Sequence, residues 1–253
     1  VVVNAGQMGY YRTLYAPKVF AQLKNHFTDI ATIDQVGILS DSWAMGLAGQ
    51  QPVADYLDLA KATSSNASPH VWDHIANVFS TMNNYLKDDP TRQKMFQEFA
   101  FKRLSPLMQE LGWQAKENEA EHVANTRAAM ITVLGSMGES SVLAEARRRF
   151  AVMDSDPNAA PAALRLLILA IVAENADSTT WDKLYAKAKS EKSALVRQNL
   201  YELLAASEDP TLAKRALDLA LSDEPGLTTS AAMIRQVATN HPDMAFDFAM
   251  ANM

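Results

Sequence analysis

The stretch that decides the fold is Pro69-His70-Val71-Trp72-Asp73-His74-Ile75-Ala76-Asn77-Val78-Phe79-Ser80-Thr81-Met82-Asn83-Asn84-Tyr85-Leu86. Val71, Ile75, Val78, Met82 and Leu86 recur every three or four positions, which gathers them on one face of a helix and excludes strand alternation. Pro69 suits the first helical turn, where its preset φ fits and its missing N–H costs nothing. The same period runs through Val19, Leu23 and Phe27, then Val36, Leu39, Trp43 and Leu47, then Val123, Met130, Leu134 and Met137. It continues through Leu143, Ala146 and Phe150, Leu164, Ile168 and Ile171, Trp181, Leu184 and Ala188, Leu200 and Leu204, and Ile234 and Val237.

Acidic residues precede prolines at Asp89-Pro90, Asp156-Pro157, Asp209-Pro210 and Glu224-Pro225, with His241-Pro242 a weaker case. A carboxylate there accepts orphan amide donors and meets the positive end of the helix dipole. These signals predict eleven or twelve helices over 17–253. One-sided stripes on serial helices predict an all-α, irregular α–α superhelix of antiparallel pairs, like a HEAT or armadillo solenoid. No clean repeat of fixed period is present. The expected organisation is a helical domain at 17–253, truncated at its C-terminal end, after a junction at 1–16. In that junction Val1-Val2-Val3 and the aromatic run from Tyr10 to Tyr15 read as a short β segment left from a preceding β-rich domain.

Composition narrows the function classes. The protein has 253 residues, 48% of them hydrophobic, and a formal net charge of −6. A polypeptide of this size buries roughly 70–75% of its unfolded surface, so it folds without a staple. The mild acidic excess argues against nucleic-acid partners. Arg147-Arg148-Arg149 reads as a solvated helix face beside Glu145. Cysteine is absent, which removes disulfides and thiolate chemistry together. No apolar run reaches the roughly 18 residues of a membrane span. The sequence begins at Val1 without a targeting segment, as a processed product or excised fragment would, and its compartment is undetermined.

The sharpest chemical signal is His70-Val71-Trp72-Asp73-His74, where two imidazoles four apart share a helix face. The HExxH order fails at Val71, and the inverted HxxEH order is met only with Asp73 in place of Glu. A helical metallohydrolase using His70, Asp73 and His74 would lack a visible third ligand, and both histidines are expected at the surface or near the helix start. No nucleophile elbow, phosphate loop or dinucleotide fingerprint is present. These residues alone point to no catalytic apparatus and no cofactor.

Asn4, Gly9-Tyr10-Tyr11-Arg12 and Tyr15 resemble the N-x4-G-Y-Y-R-V-x-Y segment of the aminopeptidase N and ER-aminopeptidase family of zinc metallopeptidases, the gluzincins. Asp34 to Met45 is similar to that family's D-R-A-x-L-I-x-D-A-F/W-x-L, with Asp34 and Asp41 as its acids. Gln35 stands where the family has Arg, so an ion pair made by that Arg is missing. Val71-Trp72 falls where the family has an aromatic. Arg127 and Phe150 match the spacing of L-R-x5-A-C…F, whose cysteine pair would lie at Gly135 and Val142. Trp181-Asp182-Lys183-Leu184-Tyr185 resembles G-W-D-x-L-Y.

The resemblance covers nearly the whole sequence. It implies the C-terminal helical domain of an enzyme that removes N-terminal residues from peptides, with zinc held by HExxH and a distant Glu in an upstream domain. It implies a lid that caps the active-site cleft and restricts substrate size. The partners implied are the enzyme's own catalytic and β-sandwich domains and its peptide substrates. The signature residues Asn4, Gly9, Tyr10, Tyr11, Arg12, Tyr15, Asp34, Asp41, Trp72, Arg127, Phe150 and Trp181 are expected to be structural. No substrate-binding residue carries over. A free-standing HEAT-like interaction scaffold is the alternative on the same fold.

Overall fold

The computed structural model describes residues 1–156 and 158–252. Thirteen α-helices occupy the described residues, where stripes and prolines predict eleven or twelve. They fall into two compact units, 1–137 and 138–253. The first holds α1 (Pro17–Asn25), α2 (Thr32–Leu47), α3 (Val53–Ala62), α4 (Pro69–Tyr85), α5 (Pro90–Leu111) and α6 (Glu121–Ser136). The second holds α7 (Ser140–Val152), α8 (Ala162–Glu174), α9 (Ser178–Ser190), α10 (Ala194–Leu204), α11 (Pro210–Ala220), α12 (Leu227–Asn240) and α13 (Pro242–Ala251). No helix is long and apolar enough to cross a membrane among the described residues.

In the first unit α2 packs on α3 and α4, and α4 on α5 and α6, so α4 is the central element. Its stripe is buried as the period requires, with Val71, Ile75, Val78, Phe79 and Met82 all withdrawn from solvent. The Phe79 ring meets Phe96 of α5 edge-on at 5.4 Å, a favoured aromatic geometry. In the second unit α7 packs on α8, α9 on α10, α11 on α12 and α12 on α13. Trp181, Leu184, Leu200, Leu204, Leu212, Leu217, Met233 and Val237 make up much of its core.

The helix starts follow the punctuation in most places. Asp89 accepts from the Arg92 amide at 3.1 Å, and Asp209 accepts from Thr211 and Leu212 at the head of α11. Asp156-Pro157 cannot be followed, because Pro157 lies outside the described residues. Glu224-Pro225 opens no helix. Its carboxylate accepts instead from the hydroxyls of Tyr185 and Tyr201, at 2.9 and 2.6 Å. Gly226, at φ 81, then turns the backbone into α12 two residues later than the proline suggests. Of the three consecutive arginines, Arg149 is buried, donating to Glu145 and to the Ala159 carbonyl, so that run is not wholly a solvated face.

The expected N-terminal β segment is not there. Residues 1–15 contain no strand, and Ala5–Gln7 form a turn of 3-10 helix. Asn4 and Gln7 adopt left-handed backbone, at φ 61 and 55, which a pleated strand cannot accommodate. The Asn4 carboxamide closes a local ring, donating to the Gly9 carbonyl at 2.9 Å and accepting from its amide at 2.6 Å. Local side-chain bonds of this kind compete with extended pairing, and among the described residues no strand opposes them.

Phe79→Ala, which empties the α4–α5 contact, is expected to lower stability by about 3–5 kcal/mol. A denaturant midpoint unchanged from the parent would contradict this account of the core.

Candidate functional site

The residues gathered by sequence around 4–15 and 34–41 converge on one face of α2. Asp34 is the third residue of that helix, where a carboxylate complements the dipole, and it accepts the Gly6 amide at 2.7 Å. Two turns on, Asp41 accepts the Thr13 amide at 3.0 Å and pairs with the Arg12 guanidinium at 3.1 Å. Both carboxylates are buried, and a buried charge is stable only when paired in this way. Tyr15 ties the far end back, its hydroxyl accepting from the Val3 amide at 3.1 Å and lying 3.3 Å from the Val3 carbonyl, to which it can donate. Burial pushes the Tyr15 hydroxyl above its usual range, with Asp41 and Asp34 adding to the effect.

Two glycines make room for this clasp. A β-carbon on Gly37 would collide with the Gln7 carboxamide, which lies flat on that turn of α2. One on Gly9 would strike the Tyr11 ring and crowd the Asn4 oxygen. Tyr10 and Tyr11 themselves project into solvent, as does Met8. Gln7, Gly9, Tyr10, Tyr11, Arg12 and Asp41 line a shallow pocket beside the clasp.

Gln35 does more than replace an arginine. It is buried, and its amide donates to the carbonyls of Phe27 and Ile30, each at 2.9 Å, pinning the turn between α1 and α2. No sequence signal short of that geometry reveals this role.

The histidine motif separates in space. α4 does begin at Pro69, so His70 and His74 occupy its first two turns. The His70 ring lies 6.1 Å from His122 of α6, and Asp73 lies on that side, with its Oδ1 buried and unbonded. Burial raises the Asp73 carboxyl above its usual range, opposed by the neighbouring Thr126 hydroxyl and the two imidazoles. His74 instead packs 6.2 Å from the buried Tyr56 ring of α3, with its Nε2 enclosed and unbonded. Burial holds the His74 ring below its usual pKa, and Arg12 adds to the effect. Among the described residues no group of three or more His, Asp or Glu side chains could hold a metal ion. The metallohydrolase alternative therefore finds no ligand set, and a zinc ion does not fit the residues present.

The remaining signature residues are dispersed. Trp72 is buried in the first unit with the Arg103 guanidinium 5.4 Å from its ring centre. Arg127 is buried too. It makes a two-pronged pair with Glu119, and its Nε donates to the Gly112 carbonyl at 3.0 Å, which fixes the loop after α5. That pair holds the Glu119 carboxyl below its usual range. In the second unit Phe150 is half-buried beside Lys183 and Lys187. Trp181 donates from its ring to the Leu204 carbonyl at 2.9 Å and lies under the Arg215 guanidinium at 4.1 Å.

What these pieces define is an all-α domain of paired helices, entered through a clasped, strand-free segment. The family described as the ERAP1-like C-terminal domain matches residues 1–253, and the chain belongs to that family of M1 aminopeptidase domains. It is similar to Aminopeptidase M1-D of Oryza sativa subsp. japonica, 24% identical over 259 residues that cover 100% of this chain and 30% of the relative. It is 27% identical over 235 residues to Aminopeptidase M1 of Arabidopsis thaliana, covering 88% and 26%. With Glutamyl aminopeptidase of Bitis rhinoceros it shares 25% over 225 residues, covering 85% and 23%. The chain thus spans less than a third of the length of these curated relatives.

Two outcomes test the site. Asp41→Ala removes the bond from the Thr13 amide to a buried carboxylate, worth about 1.5–3 kcal/mol, and a weaker pair with the largely exposed Arg12, so the Thr13 amide should lose at least about tenfold of its protection against hydrogen exchange while α4 keeps its own. The His74 sign is also fixed. Its folded pKa lies below the unfolded value of about 6.5, so its contribution to stability is complete above that pH and declines as pH falls below it. His74→Gln should flatten the loss of stability just below about pH 6.5, and an unaltered profile would count against the burial of this ring.

Proposed function

We propose that this protein is the C-terminal domain of a zinc-dependent aminopeptidase that removes N-terminal residues from peptides, and that it caps the active-site cleft and restricts substrate size. The catalytic zinc and its ligands belong to a domain outside residues 1–253. The partners in this reading are the enzyme's own catalytic and β-sandwich domains and peptide substrates, and the helices form an irregular α–α superhelix. The observation that carries it is the clasp. Asn4, Gly9, Arg12, Tyr15, Asp34 and Asp41 act as structural residues that fix the course of 1–15 and leave Met8, Tyr10 and Tyr11 outward, as a docked junction needs. The family membership and the aminopeptidase relatives support the same conclusion. A lid works by excluding long or folded substrates and by holding short ones near the reacting centre.

The rival reading, a free-standing HEAT-like interaction scaffold, draws on the apolar side chains that the second unit leaves in solvent, Leu166 and Leu195 among them. Peptide ladders of increasing length discriminate the two. With this domain attached to its catalytic domain, turnover should fall steeply beyond a length limit, and deleting the domain should abolish that limit. Length dependence that survives deletion would remove the lid role. Residues 1–253 alone should hydrolyse no aminoacyl anilide, and turnover that co-purifies with them would overturn the assignment of catalysis elsewhere.

A further inference from the structure

Helices α7 and α9 both pack on α8, and their facing sides line a groove of about 600 Å³ within the second unit. α7 contributes Arg147 and Phe150, three residues apart, and α9 contributes Lys183, Lys187 and Ser190 at helical spacing. One carboxylate, Asp154 just past the end of α7, stands in the lining. It is already committed, paired with Lys187 and lying 3.8 Å from Arg165. Nearby Asp177 caps α9 by accepting the Thr180 amide at 2.7 Å. Thr180, ahead of Arg147 and Lys183, holds the Asp177 carboxyl below its usual range. Arg147 and Lys183 are exposed and make no ion pair among the described residues. Arg147 gives one N–H to the Asn175 carbonyl at 3.0 Å, and its other donors remain. In a protein of net charge −6, two uncompensated cations therefore face one groove, beside the half-buried ring of Phe150.

These groups describe a ligand with one anionic end and one flat end. A guanidinium presents parallel N–H donors that match a phosphate, and an ammonium adds a point charge. An aromatic ring offers its face to a nucleobase. The groove is of the size that small-molecule sites occupy. We propose that the α7–α9 groove binds a nucleoside phosphate, with Arg147 and Lys183 on the phosphate and Phe150 against the base. Lys187 borders the site, and by pairing with Asp154 it keeps that carboxylate from repelling the anion. The binding does not depend on the aminopeptidase reading.

The test titrates residues 1–253 with ADP, adenosine and inorganic phosphate at low ionic strength, read by calorimetry and by NMR of the Arg147 and Lys183 side chains. ADP should bind at least about tenfold more tightly than either adenosine or phosphate, a difference of about 1.4 kcal/mol. Its affinity should fall as salt is added. Lys183→Glu, a change at an exposed position, should weaken ADP by about tenfold and leave adenosine unchanged. Arg147→Gln, a second exposed change, should also weaken ADP. Phe150→Leu should weaken ADP and adenosine but not phosphate. Phosphate binding as tightly as ADP would make the groove a simple anion site, and adenosine doing so would make it an apolar contact; either result overturns the proposal. So would no binding, an ADP affinity unmoved by both charge variants, or shifts confined to other helices. Peptide turnover does not enter the measurement, so failure of the groove is distinct from failure of the lid.

Discussion

Two carboxylates set seven residues apart on α2 govern how the backbone enters its helical body. Seven residues at 1.5 Å rise span about 10.5 Å along one helix face, and Asp34 and Asp41 use that span to hold Gly6 at one end and Arg12 and Thr13 at the other. Each is buried, so neither tolerates the loss of its partner, and the segment 1–15 is their partner. The open turn conformations of Asn4 and Gln7, the bare surface of Gly37 and the outward course of Tyr10 follow from that requirement. α2 in turn rests on α3 and α4, which passes the constraint from the entry segment into the core.

Arginines do comparable service elsewhere, each closing a loop by donating to backbone carbonyls. Arg103 donates to Thr63, Arg127 to Leu111 and Gly112, and Arg149 to Ala159. A guanidinium has five donors and no acceptor, which suits a helix end, where carbonyls point outward without partners. Breaking such a contact where the arginine is buried strands both a cation and the carbonyls it served.

The helical fold was legible in the spacing of apolar residues, because a one-sided stripe records which face is buried. Pro69, Asp89 and Asp209 mark helix starts because their chemistry is local. Where the outcome depended on a distant group the sequence misled. Glu224 resembles a cap but is drawn to two tyrosines from α9 and α10. The run Val1-Val2-Val3 reads as strand, yet what decides its course is the ring that Asn4 closes with Gly9 and the bond from Tyr15 to Val3. His70 and His74 share a helix face, but α3 and α6 take them in different directions. The signature residues identified themselves only by resemblance.

Gln35 and Arg12 secure adjoining parts of the entry by different physics. The Gln35 amide is neutral and buried, and bonds between neutral groups out of water are nearly blind to ionic strength. The Arg12–Asp41 pair has its guanidinium side chain 56% exposed, where added salt screens the attraction. Raising the salt concentration therefore loosens the entry segment ahead of the turn between α1 and α2, so the two parts let go in a fixed order, outermost first.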